Sequence, residues 1–194
     1  RNNVGYWQIG YDTTLYYPEP NVRTSFDYDC VFIANVNTKE NYPGRADRER
    51  VSMLLRLAFG DRFALYGHGW PKSYGSLGSL DQKQAARAYH RSLCSISVSH
   101  FNELNHYFSD RLLMCLASGR PTISLKFPKY ESYFTNNCDL MMANSVEDIV
   151  GKVKILKQNL DLANYIGKSG AEKVLAEHTY LSRVKELLDM VGLR

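Results

Sequence analysis

The stretch CVFIANVNTKENYPGRADRERVSMLLRLAFGDRFALYG, residues 30–67, decides the fold. It opens on Cys30-Val31-Phe32-Ile33-Ala34, a short unbroken apolar run of the kind found in strands buried on both faces. Arg48 to Phe59 then carries apolar residues at Val51, Leu54, Leu55 and Ala58. That is helical spacing, with charges on the opposite side. Gly60-Asp61 stops the helix, and Phe63-Ala64-Leu65-Tyr66 forms a second strand ended by Gly67. A strand, a helix and a strand in so short a span imply a crossover connection and parallel pairing.

The alternation continues downstream. Ser79 and Gln82 have the spacing of a capping box for a helix running to about Ser92. Cys94-Ser95-Ile96-Ser97-Val98 alternates apolar with small polar residues and is a third strand. Ser109 caps a helix over Arg111 to Ala117, closed by Gly119. Pro121 to Leu125 is the fourth strand, and a segment around Tyr130 to Phe134 leads to a fifth, Asp139 to Ala143. Ser145 and Asp148 open a helix with Val146, Ile149, Val150 and Val153 on one face. Two more helices follow; the last runs from Leu181 behind Thr179, with Val184, Leu187, Leu188 and Val191 on one stripe. The expected fold is α/β: a Rossmann-like, doubly wound parallel sheet of about five strands, helices on both faces and extra C-terminal helices.

Upstream, residues 1–28 are rich in Tyr, Asn, Asp and Pro and hold no period. Pro18 and Pro20 interrupt regular structure there. Residues 1–28 therefore read as a lead-in or linker and 29–194 as the domain. The chain opens on Arg1 rather than Met, as a piece of a longer protein would.

Composition narrows the function. The 194 residues suit one domain with a real core. A net charge of +4, with the signs well mixed and no basic run, argues against nucleic acid but suits a ligand carrying phosphates. Cys30, Cys94, Cys115 and Cys138 match no metal spacing, and three sit in apolar or small-residue runs, which reads as a reducing, cytoplasmic setting. No apolar run approaches the roughly 20 residues of a membrane span.

In such sheets ligands bind beyond the carboxyl ends of the strands, where the strand order reverses. The loops to inspect are therefore Asn35 to Thr38, Gly67 to Trp70, Ser99 to Asn102 and Lys126 to Glu131. In Tyr66-Gly67-His68-Gly69-Trp70, two glycines allow close backbone approach to a ligand, and the flanking aromatics suit stacking on a base or sugar. The alternative there is a tight turn with Trp70 packed on the domain edge. Ser109-Asp110-Arg111 starts a helix, where free N–H groups, the macrodipole and a guanidinium suit a phosphate. The competing reading pairs Arg111 with a nearby carboxylate. His68, His100 and His106 do not make a metal set; His100, ending a strand, is the best functional candidate of the three. Glu131 can accept from sugar hydroxyls or stand as a solvated loop charge. Neither a Ser/His/Asp order, a Walker loop nor a GxGxxG is present, which argues against a dinucleotide oxidoreductase.

Ordered motifs resemble a known family. Ile9-Gly10-Tyr11-Asp12-Thr13 with Tyr17-Pro18 resembles the segment joining the two domains of GT-B glycosyltransferases. Tyr66 to Trp70 resembles the YGxGW stretch of the CgeB-like branch. Ser109-Asp110-Arg111-Leu112, running on to Leu116-Ala117-Ser118-Gly119-Arg120-Pro121, resembles that branch's SDR…ALASGxP block. His178-Thr179-Tyr180 with Arg183 resembles its closing helix. The resemblance implies a C-terminal domain that holds a nucleoside diphosphate sugar, with the acceptor site and a catalytic base on an upstream domain. It places Gly67 to Trp70 near the base and Ser109 to Arg111 near the diphosphate. It also implies no divalent metal, because helix N-termini and basic side chains hold the leaving phosphate. The family's Glu-x7-Glu pair falls here on His106 and Met114, neither of which can act as a carboxylate. The ribose is then held otherwise, with Asp110 as one option, or donor binding is weakened.

The expected donor-binding set is Asn35, Tyr66, Gly67, His68, Gly69, Trp70, His100, Asn102, Ser109, Asp110, Arg111 and Glu131. No cofactor beyond the donor substrate and no catalytic residue is assigned. The competing functions are a non-catalytic binding module that kept the fold and a flavodoxin- or receiver-like signalling domain. The second would need an acidic cluster or flavin loops at the strand ends.

Overall fold

The computed structural model describes residues 7–19, 24–37, 39 and 41–193. The first six residues of the lead-in, Pro20 and Thr38 lie outside the described residues. Five parallel strands form one sheet in the order β2-β1-β3-β4-β5: β1 Tyr28–Ile33, β2 Phe63–Tyr66, β3 Ser92–Ser97, β4 Thr122–Leu125 and β5 Met141–Ala143. The helices are α1 Arg45–Phe59, α2 Gln82–His90, α3 Asp110–Ala117, α4 Val146–Gln158, α5 Leu160–Glu177 and α6 Tyr180–Met190. The order reverses between β1 and β3, whose carboxyl ends therefore frame a crevice.

Strand alternation builds two unequal faces. One carries Phe32, Phe63, Leu65, Ile96 and Ile123 against α1, α4 and the first half of α5. Each such side chain contributes roughly 1.5–3 kcal/mol by leaving water. The other face carries Val31 and Ala64 beneath α2 and α3. Along β3 and β4 it is made of Ser95, Ser97, Thr122 and Ser124, all buried. These small residues let α3 settle close to the sheet.

Several helix ends differ from expectation. The capping box of α2 is Asp81 with Gln84, not Ser79 with Gln82: Asp81 Oδ1 accepts from Gln84 N at 2.8 Å, and Gln84 Oε1 accepts from Asp81 N at 2.9 Å. Both pairs have the right spacing, and the carboxylate nearer the buried run Ala85–Ala86 takes the role. Ser109 holds the N-cap position of α3 but makes no side-chain cap bond. Ser145 and Thr179 cap α4 and α6 as expected.

Residues 7–19 pack on the domain. Tyr11 pairs with the α5–α6 junction through bonds to His178 O (3.1 Å) and from Tyr180 N (3.2 Å). Tyr11 and Tyr16 are buried in the core beneath α2 and α3. The stripe of α6 faces outward, for Val184, Leu187, Leu188 and Val191 are exposed. The helix is anchored by buried Arg183, which donates to Glu177 O and to His178 Nδ1 at 2.7 Å. Among the described residues no helix is long and apolar enough to cross a membrane.

Candidate functional site

A cleft of about 500 Å³ opens over the carboxyl ends of β2, β1 and β3. Two loops form one wall. The loop after β1 and the loop after β2 run side by side: Val36 N donates to His68 O at 2.9 Å, and Asn35 Oδ1 accepts from His68 N at 2.8 Å. The two glycines make this possible. Gly67 and Gly69 adopt φ of +134° and +82°, and a Cβ would lie 2.1 Å from Ala34 O and 1.9 Å from Val36 O respectively. Both glycines admit the neighbouring loop, and Gly67 also lines the cleft.

The opposite wall is the start of α3. Ser109, Asp110 and Arg111 all line the cleft, and the Ser109 hydroxyl is buried with no hydrogen-bond partner among the described residues. Asp110 Oδ1 accepts from Arg111 N at 2.7 Å. The Arg111 guanidinium sits 5.8 Å over the Phe32 ring and donates to Ile33 O at 3.3 Å. Among the described residues it has no carboxylate within 4 Å, so the ion pair of the competing reading does not form. The N-terminus of α2, with Leu80, Asp81 and Gln82, closes one end, and Tyr16, Tyr89, Tyr107 and Met114 supply flat or apolar surface.

Of the expected set, the cleft thus gathers Asn35, Gly67, His68, His100, Ser109, Asp110 and Arg111. Five residues stand outside it. Trp70 packs on Phe32 and Tyr74 and donates its indole N–H to Ala34 O at 2.6 Å, the tight-turn alternative. Gly69 sits on the β1 loop, and Tyr66 leans on the core beneath α2, where burial pushes its hydroxyl pKa up to about 12. Asn102 is spent on its own loop, donating to Ser99 O (3.0 Å) and accepting from Ser99 N (3.2 Å). Glu131 is exposed on a one-turn helix, Tyr130–Ser132.

Arg48 is the residue that sequence reading missed. It projects from α1 and is 1% exposed. Its Nε donates to Val98 O at 3.0 Å and its Nη1 to Asn35 O at 2.7 Å. Nη1 also meets His100 Nε2 at 2.7 Å, while His100 Nδ1 lies 3.0 Å from Pro43 O. A carbonyl can only accept, so Nδ1 carries the proton and Nε2 is the acceptor for Arg48. His100 is therefore the neutral tautomer; burial, then the Arg48 charge, hold its pKa below the usual histidine value. Burial first, and Arg111 second, pull Arg48 down to about 9. One signal was available: Arg48 lies one and two turns before Val51 and Leu55, on the buried stripe of α1.

A further cleft, of about 610 Å³, lies beside β4 and α4. Its charges are of both signs, and its Arg50 is already paired with Glu147. No three His, Cys, Asp or Glu converge as a metal set among the described residues.

A family model described as glycosyl transferase-like matches residues 46–189. No curated protein matches the sequence. Solved structures share the fold at low identity. The C-terminal domain of a glycosyl transferase group 1 family protein, LpcC of Francisella tularensis, is 16% identical, with 88% of this chain and 100% of that one covered and a TM-score of 0.64. A sucrose-phosphate synthase from Thermosynechococcus elongatus is 13% identical over 95% of this chain and 51% of its own, with a TM-score of 0.71. HepE of Anabaena in complex with UDP is 10% identical over 94% and 56%, with a TM-score of 0.70. The chain therefore spans about half the length of the last two.

Proposed function

This chain belongs to the glycosyl transferase-like family, and from that premise we propose that its switch-point cleft binds a nucleoside diphosphate sugar for glycosyl transfer. The observation that carries the reading is the anion-seeking end of the cleft. The N-terminus of α3, the unpartnered Ser109 hydroxyl and the Arg111 guanidinium, which has no carboxylate partner among the described residues, meet there. Backbone N–H groups at a helix start, with a planar fork of donors beside them, favour phosphate oxygens. The remaining wall, from Gly67 and His68 to Leu80 and Tyr89, has room and flat surface for a base and ribose. HepE, which shares the fold, has been crystallised with UDP and with UDP-glucose.

In this reading the leaving diphosphate is stabilised by fixed donors and cations, with no divalent metal and no cofactor beyond the donor. The chain is the C-terminal, donor half of a GT-B enzyme of the CgeB-like branch, working in the cytoplasm, with residues 1–28 leading in from an upstream acceptor domain. The exposed stripe of α6 and the exposed Trp7 and Ile9 are consistent with a neighbour on that side. Residues 1–194 alone bind donor and turn over poorly.

Calorimetry with UDP-, GDP- and CMP-linked sugars tests the proposal. Saturable binding of at least one, weakened about tenfold or more in Arg111→Met, is the expected result. Silence across the panel would instead support the second reading, a module that kept the fold without the activity. Met114 favours that reading, because a thioether lines the cleft where the family pattern has a ribose-binding carboxylate.

A further inference from the structure

The carboxyl ends of parallel strands present carbonyl oxygens, which repel an anion. In this cleft three of those oxygens are covered, and arginine covers each. Arg48 takes Asn35 O beyond β1 and Val98 O beyond β3, and Arg111 takes Ile33 O at the end of β1. Arg48 is 1% exposed, lines the cleft and has no carboxylate within 4 Å among the described residues. Its Nη2 has no hydrogen-bond partner among the described residues. Removing one carboxylate from a buried ion pair leaves an uncompensated charge that is strongly destabilising. Arg48 is a cation in that situation by construction, and its remaining partners are carbonyls and a neutral imidazole. Such a charge is compensated when an anion enters the space it borders.

We propose that Arg48 is a positioning residue of the phosphate subsite: a second fixed cation that, with Arg111 and the N-terminus of α3, tunes the cleft to a diphosphate rather than a single phosphate. This rests on the reading of the cleft as a nucleoside diphosphate sugar site and deepens it. Two observations define the setting of this cation. His100 is held in the one tautomer that can accept from it, by Pro43 O on the other ring nitrogen. And Arg111, the other cation of the cleft, is among the groups that pull its pKa down, so the pair is mutually repulsive until a negative charge lies near both. His100 supports the subsite through Arg48, as the acceptor that fixes the guanidinium in plane.

The probes are inorganic pyrophosphate and inorganic orthophosphate, titrated separately into the 194-residue protein by calorimetry, with uridine as a probe of the base and ribose wall. Arg48→Met should weaken pyrophosphate about 10- to 100-fold, weaken orthophosphate much less and leave uridine unchanged. Arg48→Lys should recover a large part of the loss, which a packing role would not predict. Because Arg48→Met removes three hydrogen bonds, one of them fully buried, and can impair folding, a wild-type measurement runs beside it. In protein labelled with 15N-arginine, the Nε signals of both Arg48 and Arg111 should move on adding pyrophosphate. A shift confined to Arg111, or equal losses for both phosphates in Arg48→Met, overturns the role of Arg48 and leaves the donor site standing. No binding of pyrophosphate, uridine or any nucleotide-linked sugar by wild type overturns both.

Discussion

Replacing Gly69 by Ala should destabilise the domain by about 3–4 kcal/mol, and a second glycine supplies the control. Gly69 and Gly78 share a left-handed backbone, with φ of +82° and +91°. A Cβ at Gly78 meets none of the described residues within 4 Å, whereas one at Gly69 falls 1.9 Å from Val36 O. Gly78→Ala therefore isolates the conformational penalty, roughly 1–2 kcal/mol, partly offset by the stiffer unfolded chain. Gly69→Ala adds a clash with backbone, and the β2 loop must retreat by roughly 1 Å to relieve it. That retreat breaks the Val36 N to His68 O bond (2.9 Å) and the bond from the Trp70 indole to Ala34 O (2.6 Å). At about 1 kcal/mol each, the two bonds make Gly69→Ala about 2 kcal/mol worse than Gly78→Ala. Urea unfolding of both variants, with slopes checked for equality, reads the difference directly. Equal midpoints would refute the claim that these loops are locked together by backbone contact.

Other consequences are simpler to test. Asp81→Ala should cost about 1 kcal/mol in thermal or urea unfolding, and Ser79→Ala almost nothing, because only the first breaks the capping box of α2. Arg111→Met should leave the melting temperature within a few degrees of wild type yet weaken nucleotide-sugar binding about tenfold or more, read by calorimetry. Burial, then Arg183, pull the pKa of His178 down to about 4. The unfolded chain therefore takes up the proton first, near pH 6.5. The stability from keeping His178 neutral is present above that pH and is lost progressively as the pH falls toward 4. His178→Gln keeps an acceptor for Arg183 but cannot titrate, so its urea midpoint should fall less than wild type over that window.

The sheet was legible because its strands are short apolar runs and its helices show unbroken stripes; Val31, Phe32 and Leu55 could hardly be read otherwise. What was not legible depended on distance in space. Asp81 and Ser79 compete for the same cap with equal spacing, and only the packing of Ala85 and Ala86 decides between them. Trp70 had the composition of a stacking residue, but its N–H is used by Ala34 O, across a gap of 36 residues. Asn102 likewise carried the right chemistry and spent it on Ser99. Arg48 was hidden for the opposite reason: a charge inside a charged helix start draws no notice until its partners, the buried Val98 and the half-buried His100, are seen. The α3 start was found because helix signals are local, though its Ser109 hydroxyl makes no cap bond and has no partner among the described residues.

The Arg48 contacts also bear on how the domain comes apart. One side chain from α1 reaches Asn35, 13 residues away, and Val98, 50 residues away. It can do so only when β1 and β3 are already paired and α1 is docked on them. The crevice thus has no independent existence as a local turn or hairpin; it is assembled by the same cooperative event that closes the central sheet. Fraying of loops at the rim can proceed at low free energy, but the floor should exchange its amide hydrogens only with global unfolding. Protein that has kept its sheet in denaturant will have kept its crevice, and occupancy by a ligand will protect the centre of the sheet as much as the rim.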